Sequence, residues 1–151
     1  MRYVPVADLA QYVGQHLGHS GWLVIDQQRI DQFATATGDH QFIHVDPARA
    51  AATPFGGTIA HGFLLLSLMP QLMAGVMVMP EGTEMAVNYG AEQVRFIRPV
   101  PAGAEVRLGV ELLESREKQP GQWLLRARAT LEIAGQEKPA CVAELLSLCF
   151  I

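Results

Sequence analysis

Residues 38 to 46 read GDHQFIHVD and hold Asp39, His40, His44 and Asp46, so two carboxylates and two imidazoles fall within eight positions. Asp39 and His44 stand at the two ends of a short turn that follows Gly38 and is tied to what comes next by Asp46-Pro47. A carboxylate and an imidazole converging across such a segment can share one water, which is the arrangement general acid–base chemistry requires. The same residues could instead cap a turn, because aspartate readily bonds its own backbone. A metal is the third option, since His44-x-Asp46 begins a facial histidine–carboxylate set. No histidine follows His61 to complete it from a remote strand, and His40 could join only if the segment were helical, which Gly38 disfavours.

The second chemically suggestive stretch is IAHGF, residues 59 to 63. A helix starting at His61-Gly62 presents free N–H groups and the positive end of its dipole, a natural site for developing negative charge. Gly62 would let a ligand approach the backbone closely. The protein's own loop could occupy that place equally well, with His61 packing beside it.

These residues need elements to hold them. The first half reads as helices. Residues 6 to 17 form a short one, GWLVID (21–26) a strand, and Asp26 caps a helix over QQRIDQFATAT with Ile30, Phe33 and Ala34 on one face and Gly38 closing it. Asp46-Pro47 opens another helix through PARAAAT. PFGGTIA is a loop delivering the chain to a long apolar helix, which Pro70 should kink or divide. The second half changes period: 85–98, 104–116, 122–134 and 138–150 are strands, with Val106, Leu108, Val110 and Leu112 alternating against polar neighbours. Helices first, antiparallel strands after and one very apolar helix to cover imply an α+β fold, a curved sheet around a central helix.

Bulk properties bound the function. The 151 residues form one domain, 1–151, that is half hydrophobic and 17% charged, with a net charge of −4. That balance offers no general attraction to nucleic acid or an anionic membrane. From Ala50 to Pro80 there is no Asp, Glu, Lys or Arg, and residues 62 to 79 are long enough to span a bilayer. Pro70, Gln71 and the lack of basic flanks favour a helix buried in a sheet instead. Cys141 and Cys149, eight residues apart in one strand, would be roughly 26 Å apart, beyond disulfide reach. Free thiols suit a cytoplasmic location, and the N-terminal residues lack the apolar core of a signal peptide.

The spaced pattern F-A-x-x-x-G-D-x-x-x-x-H-x-D-P (33–47), followed by PFGGTIAHGF (54–63) and YGAEQVRFIRPVPAG (89–103), resembles the MaoC-like hydratases of the hot-dog superfamily, and within them the NodN-like branch. The resemblance implies an (R)-specific hydratase of trans-2-enoyl thioesters, or the reverse dehydratase, acting on acyl groups carried by coenzyme A or acyl carrier protein. It implies that Asp39 and His44 hold the catalytic water, that Gly62 offers its N–H to the thioester carbonyl, and that no metal or other cofactor takes part. Gln41, His61 and Phe63 are then candidates to line the substrate site, with Leu66 and Met69 farther along the acyl path. Arg95 and Arg98 are candidates for the coenzyme phosphates. Such domains pair sheets edge to edge, so a homodimer or a dimer of dimers is expected, with the strand bearing Val94, Phe96 and Ile97 near the boundary. Gln41-Phe42 stands where the hydratase pattern has Asn-Pro, and Pro70 where it has serine; Ser67 should simply bond a helix carbonyl. A non-catalytic acyl-thioester-binding module and a hot-dog thioesterase are the alternatives.

Overall fold

The computed structural model describes all 151 residues. β1 (Arg2–Val4) leads into a 3₁₀ segment, Val6–Tyr12, and then β2 (His16–His19) and β3 (Leu23–Val24). α1 (Gln27–Thr37) starts where the Asp26 carboxylate accepts from the Arg29 N–H at 2.8 Å and ends at Gly38, whose φ of 77° is the left-handed closure glycine favours. α2 (Phe42–Val45) and α3 (Pro47–Ala51) follow, the second capped by Asp46 with Pro47 in its first turn. α4 (Gly62–Met73) is the central helix; after it come β4 (Val78–Pro80), β5 (Met85–Phe96), β6 (Glu105–Gln119), β7 (Gln122–Ile133) and β8 (Cys141–Phe150).

The large sheet is antiparallel, in the order β2-β6-β7-β8-β5, with β3 also paired to β6. Alternation places its core. Val106, Leu108, Val110 and Leu112 of β6 face Ile133, Leu131, Ala129 and Ala127 of β7, and all eight are buried. α4 lies across β6, β7 and β8 and buries Leu64, Leu65, Leu68, Met69, Leu72 and Met73. Each fully buried side chain of this size contributes roughly 1.5–3 kcal/mol, so the helix is fixed by packing rather than by propensity. The chain is therefore α+β, with the sheet covering a helix as its pattern requires.

Several boundaries differ from the sequence reading. The helix expected over 6–17 is only the 3₁₀ segment 6–12. Gly14 then turns the chain at φ 80°, and its N–H bonds Leu112 C=O at 2.7 Å, so the rest becomes strand β2 on the edge of β6. The strand over 21–26 shrinks to Leu23–Val24, and the last strand begins at Cys141 because residues 134–140 form the preceding turn. β1 and β4, a two-stranded parallel pair joining residues 2–4 to 78–80, carry no local signal. Pro70 neither ends nor divides α4, which runs on to Met73. Less than one turn remains beyond it, and the buried residues on both sides hold the backbone despite the missing N–H. The apolar stretch 62–79 thus splits into a helix, a turn and a strand, and no helix is long and apolar enough to cross a membrane. Cys141 and Cys149 are free and buried, their thiols pushed up to about 11 by burial.

Candidate active site

Three polar side chains are buried in the whole chain, His44, Thr58 and His61; the two rings stack on each other, and Thr58 is linked to His44 through Gln27. His44 is on α2, a single helical turn within the stretch expected to be a short non-helical turn. Its Nδ1–H donates to the Ile59 carbonyl at 2.7 Å, which fixes the tautomer and leaves Nε2 with a free lone pair. Its main chain is clamped as well: its N–H bonds Gln41 C=O at 2.9 Å, and its own carbonyl accepts from Gln27 Nε2 at 2.7 Å. Gln27 in turn accepts from the Thr58 hydroxyl at 2.5 Å, tying the start of α1 to the loop before α4.

Asp39 is exposed and follows the left-handed Gly38 directly. A carboxylate oxygen of Asp39 and one ring nitrogen each of His44 and His61 lie within 4.8 Å of one another. Two hydrogen bonds of ~2.8 Å at a tetrahedral angle separate their far atoms by about 4.6 Å. Two metal–ligand bonds of ~2.1 Å span at most about 4.2 Å. The two rings are also stacked, centroids 3.8 Å apart and planes at 25°. A shared water is compatible with this spacing. The other carboxylate of the motif is engaged elsewhere: Asp46 accepts from the Arg49 N–H at 3.0 Å as the cap of α3.

Burial holds the His44 imidazole below its ordinary pKa. The bond to Ile59 opposes that effect, the neighbouring His61 adds to it, and the Asp39 carboxylate opposes it. A histidine so placed offers its base form at neutral pH. Beside it, α4 begins at Gly62, half-buried, whose N–H donates to no protein acceptor, as is also true of Phe63. A Cβ at Gly62 would meet the Phe96 ring at 3.0–3.1 Å, so only glycine leaves this helix start unobstructed.

The family model for the MaoC-like domain matches residues 8–130. This chain belongs to the MaoC-like family. It is 48% identical over 139 residues to 3-hydroxyacyl-thioester dehydratase Z of Mycobacterium tuberculosis, covering 92% of this chain and 91% of that protein. It is 43% identical over 149 residues to Nodulation protein N of Rhizobium meliloti, covering 98% and 92%. Among solved structures, the R-hydratase PhaJ1 of Pseudomonas aeruginosa matches with a TM-score of 0.72 at 28% identity, over 97% of this chain and 85% of that one. The hot-dog architecture expected from the motifs is the one these neighbours share.

In this MaoC-like domain the remaining candidates are dispersed. Gln41 is exposed; it precedes α2, and its N–H reaches Asp39 Oδ1 at 3.4 Å. Phe63 points out of the core at 68% exposure, edge-on to Phe96 with centroids 5.7 Å apart. Met69 is fully buried in the core, so it does not line a path for substrate. Leu66 instead borders, with Ser67, Pro70, Asn88 and Leu145, a cleft of about 380 Å³ between α4 and strands β5 and β8. Ser67 bonds the Phe63 carbonyl at 2.7 Å, as its place in the helix suggests. Arg95 and Arg98 are exposed and make no bond to the histidine cluster. Arg95 donates to Val94 C=O, and Arg98 to Gln136 at the rim of a second cleft of about 310 Å³ that Ile59 also lines. Gln27, Thr58 and Ile59 escaped sequence reasoning because their partners are 15 to 31 residues away.

Proposed function

We propose that this protein adds water to trans-2-enoyl thioesters to give (R)-3-hydroxyacyl thioesters, and catalyses the reverse dehydration. The observation that carries the reading is the convergence of Asp39 and His44, within 4.8 Å of each other, beside a helix start whose first amides are unpaired. Relatives named as a 3-hydroxyacyl-thioester dehydratase and an R-hydratase support it. In the hydration direction His44 Nε2 takes a proton from the bound water. The water oxygen bonds to C3 while the C2–C3 π electrons move onto the thioester oxygen, and as the enolate collapses the proton held by His44 is relayed through the Asp39 carboxylate to C2 from the same side. With that transfer His44 is again the free base and Asp39 the carboxylate. The enolate oxygen, where charge develops, sits against the Gly62 N–H and the positive end of α4. These steps use the chain's own residues, with coenzyme A or carrier protein present only as part of the substrate.

The acyl chain is assigned to the cleft along Leu66 and Pro70, and Arg95 and Arg98 to phosphates of the carrier. The unpaired edge of β5, with Met85, Val87, Tyr89 and Phe96 exposed along it, supports pairing with a second copy that would cover Asp39 and complete the pocket. The decisive test is turnover of crotonyl-CoA and longer enoyl-CoAs, followed by loss of the conjugated thioester absorbance. Asp39→Asn and His44→Ala should each lower the rate by on the order of 10²–10⁴-fold. Release of free thiol, or unaltered turnover in both variants, would dismiss the proposal.

A further inference from the structure

We infer that His61 is a positioning residue that sets Asp39 against His44 and Gly62; the inference rests on the hydratase reading. His61 is 2% exposed, and its ring contacts both partners of the water-holding pair in different ways. Its Nε2–H donates to the Asp39 carbonyl at 2.9 Å, while one face stacks on His44 at 3.8 Å. Phe33 packs against it at 5.0 Å. Its own carbonyl accepts from the Leu65 N–H at 3.2 Å, and the next amide is that of Gly62. One residue thus touches the acid, the base and the oxyanion donor.

The relative quality of the contacts decides what the ring is for. His44 is anchored independently by three bonds of 2.7 to 2.9 Å, to Ile59, Gln27 and Gln41. Asp39 is not. Apart from His61, its hydrogen bonds are the two long ones, from its N–H to Thr37 Oγ1 at 3.5 Å and from the Gln41 N–H to its carboxylate at 3.4 Å. Both exceed the usual range for such bonds. The Asp39 loop is therefore held at its normal-length bond by His61 alone. A packing role would not need an imidazole. His61 Nδ1 is sealed from solvent without a partner, a penalty that a phenyl ring in the same space would avoid. What phenylalanine could not do is donate to the Asp39 carbonyl.

Two variants separate the ring from the bond. His61→Phe keeps the stack and removes the donor; His61→Gln removes the stack and keeps a side-chain N–H. With enoyl-CoA as substrate, His61→Phe should lose on the order of 10- to 100-fold in kcat. KM should stay within about threefold, and His61→Gln should recover most of the loss. Wild-type kcat in His61→Phe, or an equal loss in both variants, overturns the inference. A second readout needs no turnover. Imidazole ¹⁵N spectra of the wild-type protein should show His61 protonated on Nε2, and the Asp39 amide should become more mobile in His61→Phe, or in His61→Gln only slightly so. A His61 proton on Nδ1, or an Asp39 amide equally ordered in the wild type and His61→Phe, also overturns it. Should the wild-type protein hydrate no enoyl thioester, the hydratase reading falls while these spectra still decide the positioning claim. If His61→Phe does not fold, the tautomer measured in the wild type decides alone.

Discussion

His44 illustrates how a residue acquires function from its surroundings. Any histidine has two nitrogens, and the Ile59 carbonyl selects which of them is the base. Because burial lowers the pKa of His44 in the folded protein, its base form persists to lower pH than that of a free histidine. Hydration needs that form in the free enzyme, so kcat/KM should be flat above about pH 6.5 and fall as pH drops through the lowered value. An acid limb centred above that pH would contradict the assignment of His44 as base. Gly62 makes a different prediction. In Gly62→Ala the new methyl meets the flexible, half-exposed Phe96 ring, which can yield, so stability should change by less than about 1 kcal/mol. Turnover should nevertheless fall, because a methyl then stands beside the amide the substrate oxygen must reach. Chemical denaturation and kinetics on the same preparation separate the two effects.

At the scale of elements, the site is a junction of three starts: α1 through Gln27, α2 through His44, and α4 through Gly62. Gln27 links the first two by bonding the His44 carbonyl and the Thr58 hydroxyl at once. Gln27→Ala would leave both groups short of a partner, so a loss of about 1–3 kcal/mol in urea unfolding is expected, together with reduced turnover. Unchanged stability would show that water replaces the amide without cost. The caps of these elements were legible because they are local. Asp26, Gly38, Asp46-Pro47 and the His61-Gly62 start each declare themselves within four residues, and all are where the pattern put them. β1, β2 and β4 were not legible. Each is held by a partner strand tens of residues away, and their short sequences have no period of their own.

For the whole molecule, the sheet ends on one side at β5, twelve residues paired only to β8. Between Glu92 and Arg95 that strand bulges, with Gln93 at φ 52°, and past the bulge Phe96 lies over Gly62. A free edge of this length, with Met85, Val87, Tyr89 and Phe96 exposed along it, is the surface assigned above to a second copy. Sedimentation should then give twice the 16.5 kDa of one chain, and Val87→Lys with Tyr89→Lys should shift it to the monomer and lower activity together. A fully active monomer would remove the interface from the mechanism. The phosphate assignment is tested at the same scale. Arg98→Ala should raise KM for coenzyme A thioesters by roughly tenfold, in keeping with one charge-assisted contact. It should leave KM for truncated thioesters without the nucleotide unchanged.

The amino-acid sequence by itself determined which residues could do chemistry and where helices begin, because side-chain type, helix caps and strand alternation act over a few bonds. Its motifs also placed the chain in its family. Tertiary structure alone decided that Asp39 and His44 share their space with His61, and that Phe63 and Met69 part company, one exposed outside and one buried within. Those outcomes depend on contacts between residues far apart in the chain, and only packing of α4 against the sheet fixes them.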